Sequence, residues 1–390
     1  MSIATAKKMP YVRLGSSGLK VSQIILGTLQ YGDPNWQGWV LPEEEAVNHI
    51  KAAYDAGIQT FDTADTYSNG MSEVVLGKAI KKWNLPRDEI VVMTKMWFVV
   101  GRTPSESYIT VTNPDGAGYV NQTGLSRKHI FGSVKQSLER LQLDYIDVLQ
   151  CHRFDSNTPI AEIDRRCRRS TTFVKAGYVR YIGMSSCWAY QCAAFSVTHL
   201  QRPADQSLFD GIQSTQCKVR CTVLLEIPTP NTLFILDYAI ANKLTPFISM
   251  QNHYSLLYRE EEREMFPTLK MFDVGAIPWS PLARGLLTRP LNSQTKRAES
   301  DPYVLGYPPE SGAHDIINRV EEISKKRGIS MAQVALAWMI SKEGVSAPIV
   351  GPTSLKNLHD LIEGVHVKLT EEEIKYLEEP YKSQAVRGHM

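Results

Sequence analysis

An acid, a phenol, an amine and an imidazole stand at the ends of three successive short apolar runs. Phe61-Asp62-Thr63-Ala64-Asp65-Thr66-Tyr67 ends the second run of the chain, Met93-Thr94-Lys95 the third, and Leu149-Gln150-Cys151-His152-Arg153 the fourth. Such a set suits proton transfer to a carbonyl oxygen. An unperturbed phenol has a pKa of about 10 and is a poor acid at neutral pH. A neighbouring ammonium favours the phenolate, so Lys95 is expected to lower the pKa of Tyr67. A buried lysine needs a carboxylate to remain charged, and Asp62 can supply it. His152 can orient the carbonyl oxygen and donate to it, which leaves Tyr67 as the general acid. One Asp, Tyr or His at a strand end is more often structural. Their joint occurrence on three neighbouring runs is what argues for chemistry.

These groups must be carried by a scaffold, and the apolar pattern suggests which. Eight short runs recur: Gln23–Leu26, Gln59–Phe61, Ile90–Met93, Ile146–Leu149, Val179–Ile182, Phe247–Met250, Ala276–Pro278 and Ala347–Val350. Each reads as a buried strand. Helix patterns lie between most of them. Pro42 to Tyr54 opens on Pro-Glu-Glu-Glu, which suits a positive helix N-terminus. Ser126 can cap a helix with Ile130, Val134, Leu138 and Leu141 on one face, and Ser330 one that buries Val334, Leu336 and Trp338. Thr370-Glu-Glu-Glu373 is a capping box. Val12–Leu14 and Leu19–Val21 flank Gly15-Ser-Ser-Gly18 and predict a hairpin. Eight strand–helix units predict an α/β chain folded as a (β/α)8 TIM barrel, whose chemistry sits at the C-terminal ends of its strands. A doubly wound sheet would need Gly-x-Gly-x-x-Gly after its first strand. Gly116-Ala-Gly118, in a loop, lacks the third glycine. With neither linker nor repeat, residues 1–390 read as one barrel domain. The polar stretch from Met96 to Gly124 follows the third strand, so it is expected at the mouth as a lid or specificity loop.

Composition narrows the function further. A net charge of +2 supplies no field for nucleic acid or an anionic membrane. At 43% apolar and 22% charged residues the chain reads as soluble and globular. No run approaches the roughly 20 apolar residues that span a bilayer. The N-terminus has Lys7 and Lys8 but no apolar segment of a secretory signal, and six cysteines do not make a disulfide scaffold. A cytoplasmic setting is expected. Cys217-x-x-x-Cys221 has no second Cys or His pair at a usual spacing, so no metal is expected.

The residues quoted above resemble those of the aldo-keto reductases, barrel enzymes that move hydride from NADPH to an aldehyde or ketone. The resemblance implies a tetrad of Asp62, Tyr67, Lys95 and His152 and the cofactor pair NADPH/NADP+. It runs through most of the chain. Tyr11 to Ser22 is similar to the family's opening hairpin, and Tyr181-Ile-Gly-Met-Ser-Ser186 to its fifth strand, which implies nicotinamide-amide contacts for Ser185 and Ser186. Ser249-Met-Gln-Asn-His-Tyr254 resembles the sixth strand, with Gln251 at the carboxamide position. Pro278-Trp-Ser-Pro-Leu-Ala-Arg-Gly285 resembles the seventh, which implies stacking of Trp279 on the nicotinamide and a pyrophosphate lined by Ser280, Leu282 and Arg284. Pro348 to Ser354 resembles the segment that holds the adenosine 2′-phosphate, implying cofactor contacts for Gly351, Ser354 and Asn357. Asn357 stands where many relatives have a basic or Gln side chain, and Leu361 where many have Asn. Leu257 to Glu264 and Thr288 to Asn292 resemble the fungal aryl-alcohol-dehydrogenase-like branch. That implies aromatic or polyketide-type carbonyl substrates of secondary metabolism and a monomer or weak homo-oligomer. Two alternatives stand beside this reading. One is a non-catalytic NADP(H)-binding regulator, like the barrel subunits that attach to potassium channels. The other is an inactive product of a faulty gene model.

Two segments depart from the pattern. Asp164 to Phe173 has no apolar stripe and four arginines, where relatives read Thr-Met-Gln-Ala-Leu-His-Asp-Val before Val174-Lys-Ala-Gly177. A codon set encoding Arg165 to Phe173, read two bases later, yields that same string of residues. A frame-shifted stretch is therefore expected, in preference to a divergent basic helix or a nucleic-acid patch. Residues 192–234 separate Trp188–Gln191 from Leu236–Asn242, the expected start and end of the fifth helix, without steady periodicity. They read as a non-family insertion, and Pro228 to Leu236 is compatible with the end of a retained intron.

Overall fold

The computed structural model describes residues 9–103, 106, 111, 113–158, 174, 176–189, 191, 246–293 and 307–389. The expectations for 164–173 and 192–234 fall outside the described residues.

Eight strands form one parallel sheet: β3 (Ile25–Gly27), β4 (Thr60–Asp62), β5 (Val91–Met96), β6 (Ile146–Cys151), β7 (Val179–Ser185), β8 (Ser249–Gln251), β9 (Gly275–Ala276) and β10 (Ile349–Val350). Neighbours follow chain order, and β10 pairs back on β3, with Ile349 opposite Ile25. The last gap is bridged by the backbone. Ser346 N–H donates to Ala276 O at 2.8 Å, and Ile349 N–H to Pro278 O at 2.8 Å. The result is the expected (β/α)8 barrel. Every expected apolar run contributes strand residues. β5, β6 and β7 run on past the apolar runs, so Lys95 and Ser185 are themselves strand residues, and His152 follows directly on β6.

The helices begin where their capping chemistry allows. α1 (Glu43–Asp55) opens on three glutamates after Pro42, and α2 (Met71–Lys82) follows Gly70. α3 (Arg127–Leu141) is capped by the Ser126 hydroxyl, which accepts from His129 N–H at 3.3 Å. α4 is Met265–Phe272 and α5 Ala313–Arg327. α6 (Met331–Ser341) is capped by Ser330, α7 (Leu355–Gly364) by Ser354, and α8 (Glu371–Glu378) by the complete Thr370–Glu373 box. Among the described residues no helix is long and apolar enough to cross a membrane.

Two glycines set close approaches. At the hairpin of β1 (Tyr11–Arg13) and β2 (Lys20–Ser22), Gly15 has φ +57°, and a Cβ there would lie 2.5 Å from Asp273 O. The hairpin thus docks on the lower end of the barrel, where Leu14 and Val21 join Ile25, Met93, Val148, Ile248 and Ile277 in one apolar cluster. Between α2 and α3, a Cβ on Gly77 would stand 2.4 Å from Leu141 O. Gly77→Ala must push these helices apart, and a loss of about 1–3 kcal/mol is expected. A lower urea midpoint at unchanged slope would show it.

Candidate active site

The loop leaving β4 stays hydrogen-bonded to β5, which fixes the residues between Asp62 and Tyr67. Thr63 N–H donates to Met93 O at 2.9 Å, and Asp65 N–H to Lys95 O at 3.0 Å. Tyr67 opens a short 3-10 turn, Tyr67–Gly70, in which Ser68 and Asn69 have positive φ of 49° and 50°. The Asn69 side chain holds that turn from the far side. It accepts from Gly101 N–H at 2.9 Å and donates to Thr103 O at 2.7 Å. The long loop after β5 therefore buttresses the Tyr67 turn, and none of its described residues lines the cavity.

Inside the barrel Lys95 is fully buried, and its three ammonium protons match three acceptors. Nζ lies 2.6 Å from Asp62 Oδ2, 2.8 Å from Thr63 O and 3.2 Å from Tyr67 OH. The other Asp62 oxygen, Oδ1, accepts from Gln150 Nε2 at 3.0 Å and Gln251 Nε2 at 2.9 Å. The His152 ring stands edge-on to Tyr67, with centroids 5.8 Å apart, and edge-on to Phe98 at 5.0 Å. The four candidate catalytic groups thus meet in one place, three of them in direct hydrogen-bonded contact.

The electrostatics correct one expectation. Burial pushes the Tyr67 phenol above its ordinary value and outweighs the acidifying pull of Lys95. Asp62 adds to the rise, while Arg153 opposes it. Burial also works against the Lys95 ammonium, yet Asp62 and Tyr67 more than offset it, so Lys95 stays cationic. His152 is held well below its ordinary value by burial, then by Arg153 and Lys95, so it is a neutral imidazole. A phenol raised in this way keeps its proton through neutral and mildly alkaline pH, and the neutral imidazole keeps its one N–H there. Carbonyl reduction is therefore expected to be flat from about pH 6 to 9 and to fall only above about pH 10. Turnover measured across that range checks the sign, since a limb centred near neutrality would mean an acidified phenol.

A cavity of about 940 Å³ opens at the C-terminal strand ends. Asp62, Tyr67 and His152 line it at one side, and Ser185, Gln251, Trp279, Ser280, Leu282, Arg284, Gly351 and Asn357 continue its wall. Three expected residues do not line it. Lys95 lies behind the wall and bonds two lining residues, Asp62 and Tyr67. Ser186 and Ser354, expected as cofactor contacts, both accept hydrogen bonds from within the protein. The Ser186 hydroxyl receives the Trp279 indole N–H at 3.1 Å, and the Ser354 hydroxyl caps α7 through Asn357 N–H at 3.2 Å. Trp279 is the outer plane of a three-ring stack. His253 lies 4.2 Å from it at 11°, and Tyr258 a further 4.3 Å away at 8°. Tyr307 OH fixes the middle ring through His253 Nε2 at 2.7 Å.

Other lining residues were not singled out from the sequence. They include Gln30, Trp39 and Val40 after β3, Arg289, and Arg387 with Gly388 in the tail beyond α8. Arg289 lies four residues past Gly285, the end of the expected pyrophosphate segment, and its charge in Thr288-Arg289-Pro290 was the available signal. The tail shows no periodicity that would direct it to the mouth.

A family model described as "Aldo/keto reductase family" matches residues 23–204 and 234–382. The chain belongs to the aldo/keto reductase family. It is 44% identical to versiconal hemiacetal acetate reductase of Aspergillus parasiticus, across 97% of this chain and 98% of that one. It is 42% identical to a putative aryl-alcohol dehydrogenase of Schizosaccharomyces pombe, across 97% and 98% of the two chains. A putative aryl-alcohol dehydrogenase of Saccharomyces cerevisiae is 41% identical, across 96% and 98%. As an aldo/keto reductase this chain is an oxidoreductase, and enzymes of the family act on small-molecule carbonyl compounds.

Proposed function

We propose that the chain is an NADPH-dependent reductase of aldehydes or ketones, with Tyr67 as the general acid. The observation that carries this reading is the contact of Lys95 Nζ with both Tyr67 OH and Asp62 Oδ2, beside His152 at the edge of a single large cavity. The cavity suits a dinucleotide. It offers the flat face of Trp279 for a ring and the guanidinium groups of Arg284 and Arg289 for phosphates. Gly351 leaves room beside Gln30, since a Cβ there would come 2.8 Å from Gln30 Oε1. Ser185, Gln251, Ser280, Leu282 and Asn357 complete the candidate cofactor wall, with Ser186 and Ser354 behind it. A bound NADPH supplies hydride to the carbonyl carbon.

The protein's own residues do the rest. His152 and Tyr67 direct hydrogen-bond donors at the carbonyl oxygen. As negative charge gathers there, Tyr67 OH gives up its proton. The phenolate that remains is stabilised by Lys95 at 3.2 Å, whose charge is kept in place by Asp62. Gln150 and Gln251 hold Asp62 in the orientation that serves Lys95. Relatives named for an aryl alcohol and for versiconal hemiacetal acetate support an aromatic or polyketide-type substrate. The family match stops at 204 and resumes at 234, which supports an insertion over 205–233, inside the expected 192–234.

The test is direct. Purified protein is expected to consume NADPH in the presence of benzaldehyde, and NADPH alone is expected to raise its melting temperature by binding the native state. Binding without turnover would favour the non-catalytic regulator instead. Neither binding nor turnover would mark this chain as the product of a faulty gene model, which transcript sequencing across codons 160–240 would locate.

A further inference from the structure

The plane that Trp279 offers to the cavity is backed by two further rings, and the three come from two loops. Trp279 follows β9, while His253 and Tyr258 follow β8. The backbone ties the loops together. Trp279 N–H donates to Asn252 O at 2.8 Å, and Tyr254 N–H to Trp279 O at 3.4 Å. The centroids of Trp279 and His253 are 4.2 Å apart with planes at 11°, and those of His253 and Tyr258 are 4.3 Å apart at 8°. Trp279 is half-buried and lines the cavity, so the pile ends on the cavity side.

Each ring is tethered, and each tether comes from a different part of the chain. The Trp279 indole N–H donates to Ser186 Oγ at 3.1 Å, just after β7. His253 Nε2 meets Tyr307 OH at 2.7 Å, ahead of α5. Tyr258 OH accepts from Arg387 N–H at 2.9 Å and donates to Arg387 O at 3.5 Å, in the tail. Flat rings in contact can still slide and turn within their planes, and a hydrogen bond at the rim of each removes that freedom before anything binds. The middle ring is also neutral. Burial holds the His253 imidazole well below its ordinary value, and Arg284, Arg387 and His389 add to the effect. At neutral pH the pile therefore presents uncharged aromatic faces, which are negative at the centre of each ring.

Core filling asks for none of this. A leucine would occupy the place of His253 without a polar atom to satisfy. Three tethered rings that end at a cavity are instead a preorganised surface for a flat, electron-poor group. An aromatic face, indole above all, attracts a cation more strongly than it attracts a neutral ring. The nicotinamide ring is neutral in NADPH and positively charged once its hydride has gone to the carbonyl carbon, while the rest of the dinucleotide is the same in both forms. The Arg284 guanidinium carbon lies 5.8 Å from the Trp279 ring and opposes a positive ring there, to an extent common to every variant below.

We propose that Trp279, His253 and Tyr258 act as one preorganised platform that binds the oxidised, cationic nicotinamide more tightly than the reduced ring, with His253 and Tyr307 as positioning residues that act through Trp279. This rests on the NADPH reading, and deepens it by saying what stands behind the stacking plane and which form of the cofactor it favours.

The experiment is a calorimetric titration with NADP+, NADPH and 2′-phospho-ADP-ribose, which lacks the nicotinamide ring. The wild-type protein is expected to bind NADP+ about fivefold more tightly than NADPH. His253→Leu is expected to bring that ratio close to one, with affinity for 2′-phospho-ADP-ribose held within about twofold. Tyr307→Phe keeps its ring and loses the tether, and is expected to lower the ratio part of the way. His253→Phe keeps a middle ring and is expected to retain more of the ratio than His253→Leu does. The ringless ligand provides the control for folding, and if His253→Leu fails to bind it, Tyr307→Phe decides. A wild-type ratio of one or below would overturn the platform and leave the cofactor reading standing. So would a ratio left intact by every variant that still binds the ringless ligand. If the wild type binds neither NADP+ nor NADPH, the cofactor reading fails and this inference with it.

Discussion

Tyr67→Phe is expected to lower kcat for carbonyl reduction by a factor of about 10²–10⁴, the usual worth of a positioned general acid. The substitution removes one oxygen and leaves the ring, so the packing against His152 survives. It also leaves Lys95 with two of its three acceptors, Asp62 and Thr63, so the buried ammonium remains compensated. NADPH binding should therefore persist, and the melting temperature should move little. That contrast makes the variant informative, because a merely structural tyrosine would give the opposite result, lost stability with retained turnover. Stopped-flow measurement of a single turnover, alongside a binding titration that follows tryptophan fluorescence, would separate the two. Unchanged single-turnover rates would remove Tyr67 from its role.

The largest effect on stability is expected at Asp62. Its side chain is buried beside a lysine that has no exposure at all. Removing one partner of such a pair leaves a charge with no counter-ion, and typical losses are about 3–5 kcal/mol. Asp62→Leu strands Lys95 and also takes an acceptor from Gln150 and from Gln251, which keeps its bond to Gln150 Oε1. Denaturant unfolding of this variant should show most of that loss. The double variant Asp62→Leu with Lys95→Met removes both charges and should recover much of the stability, with no recovery of activity. The pair of measurements separates what the ion pair does for folding from what it does for Tyr67.

Much of this was legible in the sequence, and the boundary has physical causes. Strands buried on both faces favour apolar residues, so all eight were visible, even Gln59–Phe61 with its single Phe61, and caps such as Ser126 and Thr370 announced their helices. The four reacting groups could be assembled because a parallel barrel brings every strand end to one face. The acidity of Tyr67 could not be judged in that way. Its pKa is a balance between burial and the Lys95 charge, and the extent of burial depends on packing from several elements. Position along the chain placed Ser186 and Ser354 near the cavity and could not show that their hydroxyls also bond Trp279 and the start of α7. Arg387 was invisible because its place is set by hydrogen bonds with Tyr258, which lies far from it along the chain. The loop after β5 was expected over the mouth. Its described residues support the Tyr67 turn through Asn69 and pack Phe98 on His152, contacts that no pattern within the loop encodes.

The docked hairpin makes the barrel a vessel with one doorway, since Leu14 and Val21 stopper the opposite end. Two guests would share that doorway, a ring laid against Trp279 and a molecule set beside Tyr67 and His152, so one is expected to board before the other. Such a queue leaves its mark on product-inhibition patterns, with the oxidised dinucleotide competing against NADPH and the alcohol failing to do so.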